Sequence, residues 1–143
     1  MPNWCYNYAL ITHQNPEKIA QLVKTIEDGK TFEHFIPLPD GEWDYDFCVD
    51  NWGTKWEICH PQINAQDDKM IDVYFETAWS PPIGVFEAMK KDGYTVQAEY
   101  WEEGAWFVGR WSDGVDECYK PEDAPDELSH LVENLQHDDE EAA

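Results

Sequence analysis

The string WCYNYALIT at Trp4–Thr12, followed by NPEKIAQLVKTIEDG at Asn15–Gly29, decides much of the fold. The first string is rich in aromatic and β-branched residues, which is typical of a β-strand. The second begins with an N-cap residue and a proline suited to the first helical position, carries apolar residues at helical spacing, and ends at a glycine. The sequence therefore predicts a strand followed by an amphipathic helix.

Four more strands and a second helix are predicted by the same signals. Alternation of apolar and polar residues marks the clearest strand, Lys69–Ala78, and Ser80 is expected to cap a helix over Pro81–Asp92. Residues 32–50 are expected to be irregular, because two prolines interrupt them. The other strands are predicted at Trp56–Gln66 with an interruption near Pro61, at Tyr94–Tyr100, and at Ala105–Trp111 after a turn at Glu102, Glu103 and Gly104.

The order of these elements is β-α-β-β-α-β with one extra strand. This order predicts an α+β fold of the ferredoxin-like split βαβ type, an antiparallel sheet with two helices on one face. After Trp111 the chain becomes acidic, and apolar residues recur at helical spacing at Leu128, Leu131, Val132 and Leu135. We predict a ferredoxin-like domain over residues 1–114 and an acidic C-terminal helix and tail over 115–143, docked by that leucine face.

The net charge is the strongest signal of function. Thirty-one acidic residues against nine basic ones give a formal charge of −22. Such a surface repels nucleic acid and anionic lipid and attracts basic proteins, while 15% aromatic residues indicate a packed core. No long apolar run and no signal-peptide pattern is apparent, so a cytoplasmic protein without membrane contact is expected. The four cysteines form no C-x-x-C pair and are expected to be reduced and buried.

Four separated strings resemble one known family. They are MPNWCYN at the start, NWGTKWE at Asn51–Glu57, FETAWSPP at Phe75–Pro82 and EYWEEGAWFVG at Glu99–Gly109. These strings resemble the Api92-like (YubB) proteins of bacteriophages and plasmids, described as ferredoxin-like domains of unknown function. The resemblance implies the same fold and a mobile-element origin, and it transfers no catalytic residue to this chain.

A first acidic cluster lies in the segment predicted to be irregular. If this segment is extended, its carboxylates share one side while Trp43, Tyr45 and Phe47 occupy the other. Alternate side chains would then repeat about every 6.6 Å, close to the phosphate spacing of a DNA strand. The alternative is a solvated loop held by its aromatic residues. The acidic residues are Asp40, Glu42, Asp44, Asp46 and Asp50.

A second acidic cluster extends the negative charge towards the C-terminus. On a docked helix these residues would enlarge the anionic surface, and the alternative is a solubilising tail. They are Asp113, Asp116, Glu117, Glu122, Asp123, Asp126 and Glu127.

The tryptophan-containing motifs are expected to be mainly structural. Gly53 permits a tight turn, and large buried area is expected from Trp52, Trp56 and Trp79. Lys55 lies between two tryptophans, which predicts a cation–π contact. The alternative is a ligand pocket lined by these indoles. The sequence has no recognised catalytic or nucleotide-binding motif, so no catalytic residue, metal or cofactor is predicted.

These observations lead to one leading functional hypothesis and two alternatives. The leading hypothesis is a non-enzymatic DNA mimic, monomeric or dimeric, that inhibits a basic nucleic-acid-binding host protein of defence, restriction or repair. It would bind that protein, and not nucleic acid itself, through one or both of the acidic clusters. The first alternative is an accessory module that binds a protein or peptide through its sheet and aromatic loop. The second is an enzyme acting on a cationic or neutral ligand.

Overall fold

Six β-strands form one antiparallel sheet in the computed structural model, which describes residues 3–142 and the side chains of residues 3–135. The order across the sheet is β2-β3-β1-β4-β5-β6, and each neighbouring pair is antiparallel. This arrangement confirms the α+β class. The strands are β1 (Trp4–Thr12), β2 (Cys59–Gln66), β3 (Met70–Ala78), β4 (Thr95–Glu102), β5 (Phe107–Ser112) and β6 (Val115–Tyr119).

Helices lie on both sides of this sheet. In α1, Asn15 caps the N-terminus by accepting a hydrogen bond from the Glu17 amide at 3.0 Å, as the sequence predicts. Among residues 3–142, no helix is both long and apolar enough to cross a membrane. The helices are α1 (Pro16–Glu27), α2 (Thr31–Phe35), α3 (Tyr45–Phe47), α4 (Ile83–Lys91) and α5 (Ser129–Ala142).

Two apolar clusters cover the two faces of the sheet. Alternate residues of β1 and β3 such as Ile11 and Val73 are buried beneath α1 and α4 in the larger cluster. On the opposite face, α5 packs onto Trp101 and Val108. Of the predicted apolar face, the three leucines are completely buried there and Val132 is partly buried, which confirms the predicted docking of the C-terminal helix. Leu131 and Leu135 belong to α5, and Leu128 ends the 3₁₀ turn just before it.

Three details differ from the sequence-based expectations. Ser80 does not cap α4, because its hydroxyl donates to the Gly53 carbonyl, and the helix begins only at Ile83. Strand β2 begins at Cys59, and its register shifts before Gln62, where the predicted interruption lies. Strand β6 falls inside the segment 115–143, so the first part of that segment is a sheet strand and not a tail.

Candidate functional site

The first acidic cluster lies on residues 39–52, which we call the acidic loop. The loop is a series of helical turns: a 3₁₀ turn at Pro39–Gly41, then α3, then a π turn at Cys48–Trp52. Asp44 caps α3, since its carboxylate accepts a hydrogen bond from the Phe47 amide at 3.0 Å. The condition for an extended row over Asp40–Asp46 is met only in part: Glu42 and Asp44 have extended backbones, but Asp40 has a left-handed φ of 54° and Asp46 lies in α3, which Asp44 caps.

The carboxylates of the acidic loop are exposed and have no basic partner among residues 3–135. All five are solvent-accessible, and none belongs to an ion pair among residues 3–135. The aromatic residues are also more exposed than expected, and Trp43 leaves 52% of its surface accessible. The acidic loop therefore exposes both negative charge and aromatic surface to solvent. The five carboxylates belong to Asp40, Glu42, Asp44, Asp46 and Asp50.

Buried contacts hold the acidic loop against the body. Trp52 is 1% exposed, and its indole N–H donates to the Ile36 carbonyl at 2.8 Å. Gly84 lets the start of α4 approach the loop backbone, since a Cβ placed there would lie 1.8 Å from the Asn51 carbonyl oxygen. These contacts anchor the C-terminal end of the acidic loop to the body of the domain.

Three aromatic rings, one from the acidic loop and two from outside it, surround the Lys55 ammonium. The Lys55 Nζ lies 4.7 Å from the centre of the Trp56 ring and 4.6 Å from that of Trp79. The Tyr45 ring is 6.0 Å away. These distances confirm the predicted cation–π contact. Trp52 was expected to be one partner of Lys55, but it is buried in the core, and Trp79 takes this place. We call Tyr45, Trp56 and Trp79 the aromatic cage.

Glu57, the last residue of the NWGTKWE string that contains Lys55, has a structural role. Its carboxylate accepts hydrogen bonds from the amides of Phe32 at 2.6 Å and Glu33 at 2.9 Å, which are the first free N–H groups of α2. It also accepts one from Ile58 at 3.0 Å. Burial raises the pKa of Glu57 above its ordinary value, although these hydrogen bonds oppose the shift. Glu57 joins the motif to α2 and is not available to a partner.

The second acidic cluster is divided by internal contacts. Glu117 and Glu127 both bind Arg110, at 2.7 and 2.6 Å, and Asp113 pairs with Lys90 at 3.3 Å. Asp116 accepts a hydrogen bond from the Tyr100 hydroxyl at 2.5 Å, and desolvation raises the pKa of this carboxyl. The rest of the cluster is exposed and in no ion pair within residues 3–135, and consists of Glu122, Asp123 and Asp126.

Asp113 of the second acidic cluster does not lie beside the acidic loop. The acidic loop adjoins the end of β3, since Thr54 beyond it donates to the Ala78 carbonyl at 2.8 Å. Asp113 lies in the turn between β5 and β6, at the opposite end of the strands. Ala78 pairs with Trp4, the first residue of β1. Ser112, just before Asp113, pairs with Gln97, which in turn pairs with Leu10 near the end of β1. Asp113 is therefore separated from the acidic loop, whereas Glu122 and Asp123 follow Tyr119, which is level with Tyr6 near the start of β1.

A groove lies on the sheet face that carries α5, where this helix leaves the strands uncovered. Its volume is about 720 Å³. Its floor includes the exposed side chains of Tyr8 and Leu10, and its wall includes Val115, which is 59% exposed. Asp72 and Glu99 also line it. The groove combines apolar surface with charged groups, and its lining includes Arg110 as well as Glu117 of the second acidic cluster.

Comparisons of the chain with protein-family models, with curated proteins and with solved structures each found no match. The resemblance to the Api92-like proteins therefore stays a prediction from the quoted strings. In the part of the chain with described side chains, no group of three or more His, Cys, Asp and Glu residues is placed to hold a metal ion.

Proposed function

We propose that this chain is a non-enzymatic acidic protein of a bacteriophage or other mobile element that binds and inhibits a basic nucleic-acid-binding protein in the host cytoplasm. The observation that carries the proposal is the set of five exposed carboxylates on the acidic loop, none of which has a basic partner in the described part of the chain. Trp43 and Tyr45 add exposed aromatic surface within that set. Aromatic residues are enriched in the centres of protein interfaces.

Electrostatics explain why such a loop favours a basic partner. Carboxylates grouped within about one Debye length, roughly 8 Å at physiological salt, repel one another. A cationic surface removes this repulsion and is steered towards the loop over a longer range. Because the loop is anchored by Trp52 and the Asn51–Gly84 contact, little order has to be gained on binding. The carboxylates would replace phosphates as charges, without a regular phosphate spacing.

The proposal includes a ferredoxin-like arrangement for the sheet. The order β2-β3-β1-β4, with α1 and α4 packed on one face, supports it. Strands β5 and β6 would then extend the sheet, and α5 would cover part of its other face. Both acidic clusters remain candidates for contact, but the acidic loop is the stronger one, because internal partners already engage much of the second cluster.

A pull-down from a bacterial host lysate tests the binding proposal. The loop variant carries Asp40→Asn, Glu42→Gln, Asp46→Asn and Asp50→Asn, and it retains Asp44 because that residue caps α3. The control variant removes the same charge at four exposed residues outside the acidic loop, through Glu27→Gln, Asp68→Asn, Glu87→Gln and Glu133→Gln. Both variants therefore have the same net charge.

The expected result is that the wild type and the control variant capture the same basic, nucleic-acid-binding proteins with and without nuclease. The loop variant should lose them, and capture should fall steeply as salt is raised. Equal loss in both variants would mean that total charge alone matters, and capture that resists high salt would contradict an electrostatic interface. Either result would overturn the proposed site.

The open groove favours a second candidate function, an accessory module that binds a protein segment through apolar contacts. The observation for it is the exposed apolar surface of Tyr8, Leu10 and Val115 beside α5. Leu10→Asp combined with Val115→Asp should abolish capture under this alternative. The loop variant should then retain capture, which is the opposite of the result expected for the leading proposal.

A further inference from the structure

The aromatic cage is a feature that partner binding by the acidic loop does not require. Two indole rings lie at nearly equal distances from the Lys55 Nζ, 4.7 and 4.6 Å, and a third ring lies at 6.0 Å. A cation within about 6 Å of an aromatic ring centre is attracted by the negative face of the ring. No carboxylate of residues 3–135 forms an ion pair with this ammonium. The rings therefore supply its direct electrostatic contacts.

The cage suits an ammonium without N–H groups better than it suits lysine. A lysine ammonium has three hydrogen-bond donors, and aromatic rings replace part of the water around them without offering strong acceptors. Within the described side chains, Lys55 takes part in a hydrogen bond only through its backbone carbonyl, which accepts from the Trp43 indole at 3.0 Å. N-methyl groups carry the positive charge to the ring faces and need no acceptor.

The backbone at Trp79 supports a ligand-binding role. Its φ is 71°, in the left-handed region that bulky residues rarely adopt. The neighbouring structure holds this conformation, since the Trp79 amide donates to the Asn3 carbonyl at 2.8 Å and the Ser80 hydroxyl donates to the Gly53 carbonyl at 2.6 Å. The Trp79 side chain is still 43% exposed, so burial does not account for it. Strained residues of this kind cluster at ligand sites.

We propose that Tyr45, Trp56 and Trp79 form a binding site for a quaternary ammonium group, and that Lys55 fills this site in the free protein. A ligand enters when the flexible Lys55 side chain moves its ammonium into water, where its donors find acceptors. The ligand chemistry is a trimethylammonium group, carried either by a trimethyllysine side chain or by a free choline-like molecule. This site does not depend on the proposed host partner.

Titration of the purified full chain with choline, followed by the tryptophan indole N–H signals in NMR spectra, tests the site. Choline should shift the Trp56 and Trp79 signals saturably, and 3,3-dimethylbutan-1-ol, which has the same shape without the charge, should not. Lys55→Ala removes the internal competitor and should tighten choline binding by about fivefold, the equivalent of one cation–π contact. Lys55→Gln serves as a second variant if the first does not fold, as judged from amide signal dispersion.

Matched controls separate the cage from general effects. Lys69→Ala removes an exposed lysine elsewhere and should leave the affinity unchanged. Trp79→Leu should abolish binding, whereas Trp106→Leu should not, although Trp106 is also exposed and has a positive φ of 63°. The choline titration uses only the purified chain, so its result does not depend on whether a host protein is captured from the lysate.

Each outcome decides the proposal. No saturable shift in a folded Lys55 variant, or equal binding of the uncharged analogue, overturns the assignment of an ammonium site. Equal tightening in the Lys69 and Lys55 variants overturns the role of Lys55 as the occupant. If the cage binds, a trimethyllysine peptide that binds more tightly than choline supports a protein ligand, and the reverse order supports a free molecule. An unmethylated lysine peptide should bind more weakly than either.

Discussion

Replacement of Leu131 by alanine is the sharpest test of the C-terminal part of the fold. Leu131 is 0% exposed and packs with Trp101 and Val108 between α5 and the sheet. Truncating a fully buried leucine removes its transfer free energy and leaves a cavity, which together cost about 3 kcal/mol, within a range of roughly 2–5. This loss is a large part of the total stability of about 5–15 kcal/mol expected for a domain.

Unfolding in urea, followed by tryptophan fluorescence, measures this loss. Urea is preferable to guanidinium because a salt would screen the repulsion within a chain of charge −22. Glu133→Ala is the matched control, since Glu133 lies on the same helix and is exposed, and it should change the free energy of unfolding by less than about 0.5 kcal/mol.

A loss for Leu131→Ala no larger than that of the control would refute the docked helix. A separate early transition, with the main transition unchanged, would also refute the inference that α5 and the sheet share one cooperative core. Such a result would instead favour a detachable acidic tail.

Three further predictions concern packing, pH and thiol access. Gly84→Ala would ordinarily stabilise a helix by about 1 kcal/mol. Here the new Cβ would lie 1.8 Å from the Asn51 carbonyl oxygen, so urea unfolding should show that the free energy of unfolding falls by about 1–3 kcal/mol. A rise in the free energy of unfolding would contradict the close approach. Because burial raises the pKa of Glu57, the folded state holds its proton more tightly than the unfolded chain, and stability falls as pH rises through the interval between the two pKa values. Glu57→Gln should flatten this dependence as the pH rises above the ordinary glutamate pKa of 4.5, and identical slopes for the two proteins would disprove it. Cys118 is exposed and Cys5 is buried, so the thiol reagent DTNB should label Cys118 first. Cys118→Ser should therefore remove the fastest phase of labelling. Labelling of Cys5 at the same rate as Cys118 would contradict this order.

Local patterns predicted the elements whose signals lie within a few neighbouring residues. The boundaries of β1 and the N-terminal cap of α1 at Asn15 agree with the sequence, because strand alternation and capping depend on adjacent side chains. The start of α4 was wrong because the Ser80 hydroxyl bonds to Gly53, a partner distant in sequence. Strand β6 was missed because its acidic residues resemble a solvated tail, and pairing with β5 gives it its structure.

The candidate site was predicted only in part for the same reason. Composition identified Asp40 and its neighbours as an acidic cluster, but it did not show that Asp44 caps the helical turn of α3, which ends the extended backbone there. The Lys55 motif correctly indicated a cation–π contact, yet it placed Trp52 at the site. Trp79 could not have been chosen from spacing alone, since no local rule brings it to Lys55.

The sequence by itself determined the excess of negative charge, the α+β pattern of strands and helices, and the apolar face of α5. These properties depend on residue type and short-range periodicity, which persist whatever the chain packs against. Only the tertiary structure decided which carboxylates form ion pairs, as Glu117 and Glu127 do with Arg110, and which form none within residues 3–135, as on the acidic loop. It also brought Tyr45 and Trp79 together around Lys55. The physical reason is that ion pairs and ring contacts act over a few ångströms, between residues that only the folded backbone makes neighbours.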